Sequence, residues 1–243
     1  MYGSVASGIY NGLTIALTRR YIRGWQFQAN YTLSRALDDT SDFSSLSIPF
    51  RPGELSRDWS ISDFNVTSNL AANAVYTTPF KRDGNGWVKA FSGISLSPVL
   101  SAHSGIPFTT LVPGLSGVAG NGTIGHTSEA RPWNEPRNQG RGDAFASFDA
   151  RGSKSFYFER KEEVKLDLIA EVQNLLNRTN FAAVNNIFPA NPAYALPNGG
   201  TLLNGPYNVK GSAPTSVSQL SQPLSFTSAY PPRYVSVGLK LAF

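Results

Sequence analysis

The stretch Val164–Gln173 reads Val-Lys-Leu-Asp-Leu-Ile-Ala-Glu-Val-Gln, and its side chains alternate between apolar and mostly polar types. One face would carry Val164, Leu166, Leu168, Ala170 and Val172, and the other Lys165, Asp167, Ile169, Glu171 and Gln173. A β-strand places every second residue on one face, whereas a helix repeats about every 3.6 residues. The stretch is therefore predicted to be a strand with one apolar and one polar face.

The same alternation recurs along the chain and predicts seven long strands. They lie near residues 9–21, 25–36, 65–80, 88–103, 146–159, 164–177 and 233–243. Pro98 interrupts the fourth, and proline in a sheet is confined to edges, strand starts and bulges. No stretch keeps apolar residues at helical spacing over a dozen residues, so no helix is predicted. The expected fold is all-β, an antiparallel up-and-down meander of about seven long strands.

The connections between these strands alternate strictly in length. Tight turns are predicted at 23–24, 81–87 and 160–163, and long segments at 37–64, 104–145 and 178–232. Connections in compact domains are usually about 4–6 residues long, and unstructured loops beyond about 15 are uncommon. Short turns at one end and long loops at the other are typical of a transmembrane β-barrel, with periplasmic turns and extracellular loops. The chain is therefore expected to form a partial barrel of this kind.

Aromatic residues gather at the short-turn end of the predicted strands, as interfacial girdles of membrane barrels do. They are Tyr21, Trp25, Phe80, Trp87, Phe158 and Phe243. A soluble antiparallel sandwich also has alternating strands and stays open as an alternative. A sandwich, however, is expected to have connections of similar length at both ends.

The composition excludes several classes of protein. The chain has no Cys, which rules out a disulfide scaffold, a thiolate zinc site and a cysteine nucleophile. No apolar run approaches the roughly 20 residues of a transmembrane helix. The net charge of +5 raises the question of nucleic-acid binding, but the basic residues are scattered and the cluster at 159–163 is mixed in sign. We expect no nucleic-acid partner.

Several stretches together resemble the C-terminal part of a TonB-dependent outer-membrane receptor of the Oar-like, acidobacterial type. They are YNGL at 10–13, RR at 19–20, GWQF at 24–27, YTLSRALDD at 31–39, SDFNV at 62–66, YTTPF at 76–80, SGIPFT at 104–109 and AEVQNLLNRTNF at 170–181. Each piece is weak alone, but all occur in the order that these receptors have. One departs from the pattern, because Thr67-Ser68 stand where Arg-His usually follows SDFNV.

The resemblance implies a location in the bacterial outer membrane and a complete barrel of about 22 strands with a plugged lumen. Seven is an odd number, whereas single-chain barrels have even counts. No plug domain, signal peptide or TonB-interacting box is recognisable. Residues 1–243 are therefore predicted to be the C-terminal portion of such a barrel, a fragment that would engage the TonB system only through missing N-terminal parts.

The C-terminal residues are expected to carry an assembly signal. Gly238, Leu241 and Phe243 fit the family's ending of Gly, an apolar residue and a final aromatic, which the outer-membrane assembly machinery reads. Val237 stands where a polar residue is usual. The other expected partner is outer-membrane lipid, in contact with the apolar face.

No catalytic, cofactor-binding or metal-binding residue is predicted, and the chain is not expected to be an enzyme. His103 and His126 lie near loop sequence without a neighbouring ligand at metal spacing. Ser, His and Asp residues are present, but the sequence has no G-x-S-x-G turn between a strand and a helix, where a catalytic Ser of a Ser-His-Asp triad often lies. Acidic residues that could bind calcium lack an EF-hand frame; they are Asp38, Asp39, Asp58 and Asp63. Glycine-rich 120–122 and 140–142 lack the strand–helix frame of a phosphate loop.

Two functions from different classes are compatible with these patterns. The first is a transporter barrel whose loops 37–64, 104–145 and 178–232 capture a large nutrient of unknown identity. The second is a small standalone outer-membrane barrel or adhesin-like β protein whose loops bind an external partner. In either case Lys165, Asp167, Glu171 and Lys240 would face a wet lumen and form cross-strand charge pairs.

Overall fold

The computed structural model describes residues 6–41, 55–80, 86–110, 112–113, 129–130, 136–158, 164–186, 190–195, 201–203 and 225–242. The seven predicted strands are present as β1 (Gly8–Ile22), β2 (Trp25–Asp38), β3 (Ser68–Thr77), β4 (Ile94–His103), β5 (Phe145–Phe158), β6 (Val164–Gln173) and β7 (Tyr234–Ala242). The prediction of an all-β chain is confirmed, and the observed strand ends differ from the predicted ones by up to six residues.

The seven strands form one antiparallel meander in which each strand pairs with the next along the chain. A two-residue strand, Ser60–Ile61, adds to the far end of β2. Strands β1 and β7 lie at opposite ends of this order and do not pair with each other in the described part of the chain. Within these residues the sheet is therefore open, with β1 and β7 at its two edges.

Register across the sheet separates an apolar face from a polar face. One row of direct neighbours on the apolar face is Leu17, Ala29, Ala72, Leu100 and Phe148. The adjacent row on the polar face is Thr18, Gln28, Asn73, Val99 and Asp149. The two-residue period seen in the sequence therefore runs across the whole sheet.

Burial in this molecule is the inverse of that in a soluble domain. Leu13 is 61% exposed and Leu239 is 71% exposed, both on the apolar face. Among the described residues Phe108 is the one buried hydrophobic side chain. The buried polar residues are Asp38, Asp39, Asp58, Ser62, Asn65, Ser92, Thr110, Asn138, Asn174 and Asn180. A soluble sandwich would bury its apolar face, so this alternative does not fit.

The connection between β3 and β4 differs from the prediction. Residues 88–93 were expected to begin a strand, but a short helix, α1 (Gly86–Phe91), occupies this place, and β4 starts only at Ile94. The expected tight turn at 81–87 is correspondingly a longer connection, of which 81–85 lie outside the described residues. Gly93 ends the helix with a positive φ of 65°, a conformation that glycine adopts at little cost.

Pro98 is accommodated in β4 without a bulge. The ladder between β3 and β4 pairs Asn73 with Val99 and Tyr76 with Leu96, and it skips the two positions between them. On the other side Pro98 is the register neighbour of Ala150. The missing N–H of proline therefore falls where the ladder has a gap, which is where a sheet tolerates it.

The described parts of the long connections also contain short β pairs, which the sequence did not predict. They are Pro107–Phe108 with Gly140–Arg141, Val112–Pro113 with Glu129–Ala130, Phe181–Asn185 with Ser225–Ala229, and Ala190–Ala195 with Thr201–Leu203. A 3-10 turn, Leu55–Asp58, precedes Ser60–Ile61. No described helix has the length and apolarity needed to cross a membrane.

Candidate functional site

The end of the sheet from which the long connections leave is named the loop end, and the opposite end the turn end. At the loop end, Asn65 joins the segment before β3 to strand β2. Its Oδ1 accepts a hydrogen bond from the backbone N–H of Ala36 at 2.8 Å, and its Nδ2 donates to Thr67 Oγ1 at 3.2 Å. Asn65 is 2% exposed. The stretch SDFNV, quoted above for its resemblance, therefore serves to fix the base of the first long connection.

Arg137 links the bases of the first and second long connections. Its guanidinium donates to Ser41 Oγ at 3.0 Å and to the carbonyl oxygen of Asp38 at 2.9 Å, and it forms an ion pair with the Asp38 carboxylate. Burial acts to raise the pKa of Asp38. Hydrogen bonds from Ser62, Arg137 and Ser41, together with the charge of Arg137, outweigh this, so the pKa lies below its ordinary value of 3.8.

Asn138, the residue after Arg137, also bonds residues of the first long connection. It has a positive φ of 57°, which asparagine tolerates better than most residues. Its Nδ2 donates to the carbonyl oxygen of Ile61 at 2.7 Å and to the carboxylate of Asp63, and its backbone N–H donates to Thr109 Oγ1 at 3.0 Å. The side-chain amide of Asn138 therefore joins the second connection to residues 61–63 of the first.

Close backbone packing completes the base of the second connection. A Cβ placed on Gly105 would lie 1.9 Å from the carbonyl oxygen of Gly142, and one on Gly140 would lie 2.3 Å from the ring of Phe108. Gly142 N–H donates to the carbonyl oxygen of Ile106 at 2.9 Å. Glycine is needed at 105 and 140 because any side chain would collide there. Gly140 and Gly142 thus have a packing role.

A third group of bonds fixes the connection that follows β6. The side chain of Asn180 accepts from Ala146 N–H and donates to the Ala146 carbonyl oxygen, both at 2.9 Å. Asn174, with φ of 49°, accepts from the backbone N–H of Arg178 at 3.0 Å and donates to its carbonyl oxygen at 2.8 Å. Its own N–H donates to the Asp149 carboxylate at 2.8 Å. The name loop-end network is used below for these three groups: Asn65; Arg137 with Asp38, Asn138 and Asp63; and Asn174 with Asn180.

Charged side chains line the polar face of β5 and β6. Arg151 and Glu171 pair across the two strands at 3.3 Å. Lys165 pairs with Asp167 at 2.9 Å along the same strand, and Lys240 of β7 is the direct register neighbour of Asp167. Glu171 thus forms a cross-strand pair as expected, with a partner that the sequence had not singled out, whereas the Lys165 pair lies within one strand.

The histidine and acidic candidates have ordinary partners. His103 stacks on Phe145 with ring centroids 5.0 Å apart, and its Nδ1 lies 2.9 Å from the carbonyl oxygen of Ser104. Asp39 accepts from the N–H of Ser7 at 2.9 Å. Among the described residues no group of three or more His, Asp or Glu side chains could hold a metal ion. His126 and the glycines of 120–122 lie outside them.

Two of the three assembly-signal residues lie in β7. Gly238 faces Ile169, and Leu241 faces Leu166 and is 57% exposed. Phe243 lies outside the described residues. Within the described part of the chain β7 pairs on one side only, with β6, and is the edge strand of the sheet. The recognition of this strand by an assembly machinery stays a prediction.

Sequence reasoning missed the loop-end network, because its bonds join residues far apart in sequence. Arg137 meets Asp38 from 99 positions away, and no periodicity marks that pair. A usable signal was the density of Asn at 174, 177 and 180, since Asn favours turns and left-handed backbone. Both Asn174 and Asn177 have positive φ.

Comparison with known proteins gives one family match. Residues 1–203 match the model of a family described as an outer membrane beta barrel domain. The match covers β1 to β6 and ends before β7. No curated protein matches the chain.

Proposed function

Because this chain belongs to the family of the outer membrane beta barrel domain, we propose that its seven strands form part of the wall of a TonB-dependent receptor that takes up a large nutrient. The family places the chain in the bacterial outer membrane. The apolar face is then in contact with lipid and the polar face lines a lumen. Energy-coupled uptake goes beyond what the family itself states.

The loop-end network is the observation that supports this proposal most. The stretches resembling TonB-dependent receptors include Asp38, Asn65, Asn174 and Asn180, and these residues fix the bases of all three long connections. Receptor loops that capture a solute need a rigid base, because ordering a loop during binding costs conformational entropy. The network supplies that base on the side facing the external medium.

The polar face supports a wet interior. Arg151, Glu171, Lys165 and Asp167 carry partly exposed charges in ion pairs, which require water or further polar groups around them. In a receptor these groups would face the plug and the solute path. A link to the TonB system would run through parts of the receptor other than these strands. We propose no catalytic role for the chain.

Uptake in living cells tests the proposal. A strain lacking the gene is compared with the same strain carrying the gene for the whole protein, using labelled iron chelates, oligosaccharides and peptides. We expect uptake of one solute class to require both the gene and an energised inner membrane, and so to stop when a protonophore is added. A matched control gene carries Gly152→Ala, a change on the apolar face with no atom within 4 Å of the added Cβ.

Two results would contradict energy-coupled uptake by this barrel. Uptake that continues after the protonophore would indicate a passive pore. Binding of an external partner by the cells, without uptake of any solute class, would favour the standalone or adhesin-like alternative.

A further inference from the structure

Helix α1 exposes a large aromatic surface at the turn end of the sheet. Trp87 is 81% exposed and Phe91 is 51% exposed. The two residues are four positions apart and therefore lie on the same side of the helix, with Lys89 on the other side. None of the six residues of α1 is buried. Neighbouring exposed Trp and Phe side chains form an apolar surface of the kind that contacts a membrane or another molecule.

Lys154 of β5 connects this helix to the apolar face of the sheet. In register it lies between Ile94 of β4 and Leu168 of β6. Its Nζ donates to the carbonyl oxygen of Ala90 at 2.7 Å and to that of Ser92, two carbonyl groups at the end of α1. Carbonyl groups at a helix end lack partners within the helix and attract a positive charge. The lysine therefore fixes α1 on the side of the sheet that faces lipid.

Aromatic side chains of the strands surround the same end of the apolar face. Trp25 packs on Tyr76 with ring centroids 4.4 Å apart, and Phe156 and Phe158 are 41% and 50% exposed. Lys154 also lies over the ring of Phe156, 5.6 Å from its centroid. The helix end, held by Lys154, and these strand aromatics thus lie at the same end of the apolar face. Trp and Tyr prefer the interface of a membrane.

We propose that α1 is an interfacial anchor: it lies in the headgroup region of the periplasmic leaflet, with Trp87 and Phe91 inserted among the lipid chains and Lys89 towards the headgroups. A short amphipathic helix with aromatic residues on one side and a basic residue on the other suits this position. Lys154 is the positioning residue, because it holds the end of the helix against the sheet. This inference requires the membrane location and does not depend on transport.

Fluorescence quenching by lipid tests the position of Trp87. A chain that keeps Trp87 alone, with the other three tryptophans replaced by Phe, is reconstituted in phospholipid vesicles whose acyl chains carry bromine at a shallow or a deep position. A second chain that keeps Trp25 alone serves as the control for a lipid-facing residue. We count only pairs of preparations, made under the same conditions, in which the Trp25 chain is quenched by the brominated lipids, which establishes insertion.

In these preparations we expect shallow bromine to quench Trp87 at least about twofold more than deep bromine, as for an interfacial side chain. The additional change Lys154→Met should lower that quenching and raise quenching by aqueous acrylamide, while Trp25 stays unchanged. A Trp87 that acrylamide quenches and brominated lipid does not would overturn the proposal. So would disulfide-linked dimers of a Trp87→Cys variant, which has no other Cys, because the surface would then bind a second copy.

Discussion

Replacement of Asn180 by alanine tests whether the loop-end network stabilises the fold. The Asn180 amide is 3% exposed and satisfies both the N–H and the carbonyl of Ala146, in the manner of a neighbouring strand. Two hydrogen bonds contribute about 1 kcal/mol each, and unpaired groups left behind in the buried site add about 1 kcal/mol. Asn180→Ala should therefore lower the free energy of unfolding by about 3 kcal/mol, or roughly a hundredfold in the equilibrium constant.

Urea unfolding of the chain in detergent micelles, followed by tryptophan fluorescence, gives this free energy. Asn177→Gly is the matched control: Asn177 lies in the same segment with φ of 51°, is exposed, and accepts one bond from Arg233 N–H at 3.1 Å. Since glycine adopts this backbone conformation readily, the control should change stability by less than about 1 kcal/mol. Equal shifts for the two variants would show that the Asn180 bonds contribute nothing beyond an exposed turn, and the reasoning would fail.

Two further predictions concern the bases of the first and second connections. The pKa of Asp38 is lowered in the folded state, so the stability from its pairing with Arg137 is present above pH 3.8 and is lost as the pH falls below that value. The Asp38→Asn variant should therefore be less stable than the unchanged chain at pH 7. Its urea midpoint should also fall less than that of the unchanged chain on acidification to pH 3. Gly105→Ala places a Cβ 1.9 Å from the Gly142 carbonyl oxygen and should lower the free energy of unfolding by about 3 kcal/mol. Gly152→Ala is the control, because nothing lies within 4 Å of its Cβ. In the same urea titration it should change the free energy of unfolding by less than about 0.5 kcal/mol.

The strands were predictable because a sheet with one apolar and one polar face imposes a two-residue period on every strand. Val164–Gln173 shows this period with Ile169 as the one exception, and the structure has β6 over the same residues. Loop-end residues follow no period, since their partners are fixed by how the connections cross one another. Asn65 meets Ala36 from 29 positions away, and its role follows only from the folded arrangement. The pattern therefore predicts the wall of the barrel and says little about the residues at its rim.

Strand β5 carries Lys154, a charged residue, on the apolar face of the sheet. A lysine on the lipid-facing side costs about 2–4 kcal/mol at the membrane midplane and about 0–1 kcal/mol near the interface. Lys154 lies close to the turn end, and its charge meets the free carbonyl groups of α1. Lys154 on the apolar face of β5 and the unexpected helix after β3 are therefore two parts of one feature, because the lysine bonds the carbonyl groups where the helix ends. If α1 is the interfacial anchor proposed above, the same bonds hold it at the interface.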